Sequence, residues 1–274
     1  MLQDSRAGAR VKARFKLTDL AALSRHLSTA PFSFLKSVFC GAILRRRISD
    51  LKGENVENEM RDISGIRYRR HRNGGGWVAE TAFVADEARV TTGTRVSGRA
   101  KVLGTAQVTG GAYVSDNAVV KDRAIVTDRA VVEGFAVVSE DAKVYDSAIV
   151  YGHAQVHGNA LVYEDAAVYD HAIVWGCAEV FGAARAWNYA EIHGNAKVSG
   201  KSWIYGRAEV LGQATVSGNA AVFERAQISG TAIVKEYARI YESAKVTSGG
   251  IVCGSLVKGT TVVSADLKDS SLEE

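Results

Sequence analysis

The sequence predicts an all-β fold: one chain wound as a single-stranded parallel β-helix, triangular in section, with 18 residues to each coil. Three observations predict it. From Ala82 to Ala244 the chain runs through 28 hexads without an insertion; alanine opens 26 of them, and valine or isoleucine stands two places later in 27. Two places before each alanine the residue is mostly Gly, Asp or Glu, as at Gly152, Asp170 and Glu224. The 274 residues contain one proline, Pro31, which points to few irregular loops.

Each hexad reads as a short strand followed by a corner. Side chains alternate along an extended chain, so the alanine and the β-branched residue face inward together while the residue after each faces outward. The two residues before the alanine are rich in Gly, Asp and Asn, which turn a chain readily. A period of six does not suit an amphipathic helix, which needs about 3.6. One hexad cannot bury its inner side alone. Three close a triangular coil, and stacked coils pair as parallel ladders roughly 4.8 Å apart, so the hexads make a prism on the order of 45 Å long. The exceptions to the pattern are Thr94 and Ser202 in the alanine slot and Ala186 in the aliphatic slot.

The elements follow in chain order. Residues 1–51 read as a basic, partly helical appendage. Its first helix is expected over Leu17 to Thr29, with Leu17, Leu20, Leu23 and Leu27 on one side and Thr18 as cap. Its second is expected over Phe32 to Leu51, opened by Pro31 and carrying Arg45, Arg46 and Arg47. A helical hairpin there would cover the open ladder edge of the first coil. Residues 52–75 are polar and basic and read as a linker. The repeat spans 76–264, with Gly76 in the alanine slot before Trp77 and Val78. Near its end the phase slips by one residue, since Gly250 is followed by Ser255, and weaker hexads begin at Ser255 and Thr261. Residues 265–274 form an acidic tail.

Charge divides the chain. Residues 1–75 hold 16 Lys+Arg against 7 Asp+Glu, and the remainder holds 18 against 23. The basic part suits an acidic partner, a membrane surface or its own acidic neighbour. Nucleic acid is not expected, because the arginine run has no recognition motif and only Tyr68 among it. Cys40, Cys177 and Cys253 have no paired spacing, which fits a reducing compartment and neither a disulfide framework nor a zinc motif. The first residues have no continuous apolar core of a secretory signal. The most apolar run, Phe32 to Leu44, is 13 residues and too short to span a bilayer. A cytoplasmic location is expected, with a non-classical secretion route as the other possibility.

The prism of hexads resembles the left-handed β-helix of the hexapeptide-repeat family, and the left hand is implied by that resemblance alone. Within it, Gly75-Gly76-Trp77-Val78 followed by runs such as Val156-His157-Gly158-Asn159-Ala160 is similar to the YdcK-type proteins of bacteria and phages. The resemblance covers residues 75–264. It implies an acyltransferase fold, a trimer, a catalytic histidine and acetyl-CoA or another acyl-CoA as cosubstrate. This chain departs from the enzymes in three ways. Its glycine comes one place later after the aliphatic residue, as in Val198-Ser199-Gly200; no extruded loop interrupts the 28 hexads; and no C-terminal helix follows. These departures weigh against catalysis.

Residues 18 apart stack, so outward positions read as columns. His153 and His171 share a corner column running Asn117, Phe135, His153, His171, Tyr189, with Asp170 beside His171. As catalytic residues they would serve as a general base; the plainer reading is a solvated corner ladder. No third ligand accompanies them, so no metal site is expected. His157, Trp175 and His193 form a second column that could stack a flat ligand. A third holds six consecutive aromatics, Tyr151, Tyr169, Trp187, Tyr205, Phe223 and Tyr241, with Ile149 and Trp203 beside it. Such a stripe is expected to be covered by an interface, or to serve only as a ladder that stiffens the stack. A fourth column runs Thr91, Thr109, Thr127, Tyr145, Tyr163, Phe181. Ice binding would need a broad threonine array, which Arg89, Gln107 and Ile125 break.

The leading expectation is a binding or scaffolding solenoid, homo-oligomeric through its aromatic stripe and trimeric by resemblance. The alternatives are an acyl-CoA-dependent acyltransferase with His171 or His153 as base, and a secreted effector or phage-associated protein.

Overall fold

The computed structural model describes residues 59–265. The two helices expected in residues 1–51, Cys40, and the tail beyond residue 265 lie outside the described residues.

Each hexad forms a short strand from its outward residue and the aliphatic residue that follows. The strands fall into three sheets of 13, 11 and 10 strands. The first face runs from Trp77–Ala79 through Ile149–Val150 to Leu256–Val257. The second runs from Phe83–Val84 through Gln155–Val156 to Val262–Val263, and the third from Arg89–Val90 through Leu161–Val162 to Ile251–Cys253. Within a face, neighbours are parallel and one coil apart; Val119 pairs with Lys101 on one side and Val137 on the other. The expected phase slip is present: Arg239 pairs with Leu256 and Lys245 with Val262, each 17 positions on rather than 18. About ten coils give a solenoid roughly 48 Å long. No helix occurs among the described residues.

The inward rows are the core. From Ala88 to Val246 every alanine-slot and aliphatic-slot residue has 0% exposure. The exceptions in the sequence are accommodated locally. The hydroxyl of Thr94 donates to the Thr91 carbonyl at 2.5 Å and that of Ser202 to Ser199 at 2.7 Å, so neither is buried unpaired. Ala186 is flanked by larger residues, Val168 and Ile204, which pair with it from the coils on either side.

The corners explain the glycines and acids. From Gly98 to Glu242 the residue two before each alanine-slot residue has a left-handed backbone, as at Gly152 (φ 71) and Glu164 (φ 58). Glycine adopts this freely; a Cβ on Gly152 would come 2.9 Å from the Asp170 amide nitrogen. The corner acids from Asp116 to Asp170 gain a compensating bond, because their carboxylates accept the amide of the same corner one coil on. Glu164 accepts from Gly182 at 2.8 Å, Glu140 from Gly158 at 2.9 Å and Asp170 from Asn188 at 3.3 Å.

The stretch read as a linker differs from expectation. Strands β1 (Met60–Ile63) and β2 (Ile66–Arg70) make an antiparallel hairpin, and β2 continues onto β3 (Trp77–Ala79) of the first face. Ser64 and Gly65 both have positive φ, 55° and 78°, the turn that suits a two-residue hairpin. A β-hairpin therefore lies over the first face's open edge. Three of its basic residues have partners within the protein. The Arg70 guanidinium stacks 3.9 Å from the Trp77 ring, Arg67 pairs with Glu80 at 3.3 Å, and Arg72 pairs with Asp86 at 2.6 Å.

Candidate functional site

The second face carries the most connected cluster of functional side chains. His157, Trp175 and His193 point outward in one column, each from the position after an inward aliphatic residue. Trp175 stacks on His193 at 4.4 Å and more loosely on His157 at 6.1 Å, all nearly parallel. Two positions nearer the strand start, the neighbouring column runs Glu191, Glu209, Gln227. It reaches across to the histidine: His193 Nε2 lies 2.9 Å from Glu209 Oε1. The Gln227 amide donates to the other oxygen of Glu209 at 2.7 Å. Burial pushes the Glu209 carboxyl up, but the hydrogen bonds from His193 and Gln227 outweigh it and hold the group below its ordinary value.

The arrangement gives His193 what an isolated surface histidine lacks. Trp175 fixes the ring plane, and an ionised carboxylate, which can only accept, fixes the proton on Nε2. Nδ1 is thereby the nitrogen available as a base or ligand. Glu191, His193 and Glu209 also offer one donor atom each within 4.8 Å of one another, a set of oxygen and nitrogen ligands that could hold a divalent cation.

The corner pair is placed differently. His153 and His171 stack at 4.9 Å inside a column continued by Phe135 above, at 4.8 Å, and Tyr189 below, at 5.0 Å. Neither ring has a side-chain hydrogen bond among the described residues. Asp170, beside His171, directs its carboxylate to the Asn188 amide. The corner column and the second-face column start from opposite ends of the same strands, and the four histidines do not form one cluster.

The aromatic stripe lies on the first face. Tyr151, Tyr169, Trp187, Tyr205, Phe223 and Tyr241 stack at 4.5–5.7 Å, within 6° of parallel. The rings cover one another's faces, so each is half-buried and shows its edge to solvent. Burial raises the phenols of Tyr151, Tyr169 and Tyr205. Trp203 is turned about 72° from Trp187 and is 50% exposed. The fourth column is likewise stacked, Tyr145 to Tyr163 to Phe181 at 4.9 Å, after a Thr109–Thr127 hydroxyl bond.

Sequence reasoning named His193 but missed Glu209, Glu191 and Gln227. Reading the columns at 18-residue spacing together with their immediate neighbours would have set Glu209 beside His193. Compared with known proteins, the chain matches no family model and no curated protein. Among the described residues no helix is long and apolar enough to cross a membrane.

Proposed function

We propose that the protein is a binding or scaffolding solenoid that assembles with copies of itself through its first face. One observation carries this reading. The face joins an unbroken six-ring ladder to the exposed side chains of Ile149 and Trp203, with no loop interrupting it. A face roughly 48 Å long and one hexad wide presents on the order of 800 Å², about what each partner buries in a stable complex. The rigid coil stack makes such a surface cheap to order, since little entropy remains to be lost. The basic N-terminal region would then serve as a docking segment for an acidic partner or membrane surface. Sedimentation mass tests the reading: wild type is expected to be an oligomer, with a trimer favoured, and Trp187→Asp with Tyr205→Asp to give a monomer. A monomeric wild type, or an unchanged mass in the double variant, overturns it.

A second reading, an acyl-CoA-dependent acyltransferase, is favoured by the His193–Glu209 pair. A histidine oriented by a carboxylate can take the proton from a hydroxyl or amine as it attacks an acyl thioester, and return it to the CoA thiolate that leaves when the C–S bond breaks. That role was expected of His171 or His153; His193 is the better supported base. Acetyl-CoA and CoA titrated against the protein test it. Turnover lost in His193→Ala and kept in His171→Ala supports the reading, and no CoA binding at millimolar concentration sinks it.

A further inference from the structure

A recess of about 470 Å³ opens along the other edge of the first face, lined by Ala183, Arg185, Lys201, Trp203, Asn219, Ala221 and Arg239. None of the six ladder rings lines it. Its chemistry is unusual for this molecule. Residues 76–274 hold 18 Lys+Arg against 23 Asp+Glu, yet the recess gathers three cations and no acid. Arg185, Lys201 and Arg239 have no ion-pair partner among the described residues, where seven other ion pairs occur. Three like charges held together without a counter-charge favour an anion in their midst.

The aromatic component is equally specific. In its column Trp203 pairs with Arg185 on one side and Ala221 on the other, neither aromatic, so nothing stacks on it from adjacent coils. It meets Trp187 at 72° with centroids 6.1 Å apart, is not stacked as the ladder rings are, and is 50% exposed, which leaves its indole open to a ligand. Ala183 and Ala221 leave the space, and Asn219 supplies an amide that can donate and accept. Arg239 follows Ala221, so it stands two coils and roughly 10 Å from Trp203, with Arg185 one coil away on the opposite side.

We propose that this recess binds a nucleoside di- or triphosphate, its base stacked on Trp203 and its phosphates held by Arg185, Lys201 and Arg239. A flat ring needs the exposed indole face. Guanidinium groups take phosphate oxygens two at a time. Several negative charges a few ångströms from a ring match cations placed on both sides of the tryptophan. The volume falls within the range of about 300–1,000 Å³ usual for small-ligand sites, which favours one nucleotide over a length of acidic polymer. The site goes beyond the scaffolding reading: one protomer supplies all of it, and it requires that assembly through the six-ring ladder leave Trp203 and this edge of the face uncovered.

ATP, adenosine, inorganic triphosphate and oligogalacturonate are titrated against the full chain by calorimetry, with sedimentation mass followed in the same samples. ATP is expected to bind more tightly than adenosine or triphosphate. Trp203→Ala, and Arg185→Glu with Arg239→Glu, are each expected to weaken it at least tenfold, while Trp203→Phe retains binding. All these side chains lie outside the core, and an unchanged melting temperature certifies that the variants fold. No ATP binding at millimolar concentration overturns the proposal. Triphosphate binding as tightly as ATP, indifferent to Trp203→Ala, overturns it in favour of a bare anion patch; binding of oligogalacturonate but not ATP overturns it in favour of an acidic sugar. ATP bound by a monomer upholds this site and sinks self-association; an oligomer that ignores ATP does the reverse.

Discussion

His193 Nε2 sits 2.9 Å from Glu209 Oε1, and the pair couples two columns of the second face. Burial alone would raise Glu209; the bonds from His193 and Gln227 more than reverse it. The sign follows. A carboxyl whose folded pKa is depressed contributes stability that is present above its unfolded value, near 4.5, and is lost as pH falls through the lower folded value. The contribution is modest, because both groups are partly open to water. In His193→Ala the burial effect is left less opposed, so Glu209 is expected to titrate at higher pH than in wild type. Carbon-detected NMR of the Glu209 carboxyl reads this directly; an unmoved titration means the pair is not formed in solution.

The stacked rings contribute to stability whether or not a second copy covers them. Tyr169 lies 4.7 Å from Tyr151 and 5.7 Å from Trp187. Tyr169→Ala breaks both stacks, each worth about 0.5–1.5 kcal/mol beyond burial, so a loss of about 1–3 kcal/mol is expected in urea unfolding. Tyr169→Phe keeps both stacks and is expected to lose far less. Equal losses in the two variants would place the stabilisation in the hydroxyl instead.

The core and the columns were legible because they depend on a period. Once alanine recurs every sixth place, the inward rows, the three faces, the slip after Gly250 and the stacking of Tyr151 on Tyr169 follow from geometry alone. Two things were not legible that way. The Met60–Arg70 hairpin lies outside the repeat, and its signal, Ser64-Gly65 between Ile63 and Ile66, was hidden in a basic run that reads as a linker. The His193–Glu209 bond depends on a side chain leaning across to a neighbouring column, which a column-by-column reading does not contain. Asp170 misled for a related reason: its closeness in sequence to His171 suggested chemistry, while its carboxylate turns along the corner to Asn188.

His71 provides a pH test of the hairpin end. It is buried at 6% exposure, and the backbone around it is held by bonds from His71 to Gly76 and from Gly75 to His71. Burial lowers its pKa, with the positive charge of Arg69 adding to the effect, although the Asn73 carbonyl opposes it. A histidine with a lowered folded pKa binds fewer protons folded than unfolded. Its contribution is therefore intact above the unfolded value of 6.5 and declines as pH falls from there through the folded value. The urea midpoint is expected to drop between pH 7.5 and 5.5, and His71→Gln to flatten that part of the profile. A profile unchanged by His71→Gln would assign the pH dependence to other groups.

Asp170 separates a structural acid from a catalytic one. Its backbone is left-handed, at φ 55°, and its carboxylate accepts the Asn188 amide at 3.3 Å. Asp170→Ala keeps the unfavourable backbone and removes the acceptor, at a cost of about 1 kcal/mol for the lost bond. Asp170→Gly removes the same acceptor but adopts the conformation freely, a gain of similar size. The glycine variant is therefore expected to fall close to wild type in urea unfolding and the alanine variant clearly below it. Equal losses in the two variants would mean that the left-handed backbone costs the alanine nothing and that the lost bond to Asn188 carries the whole effect.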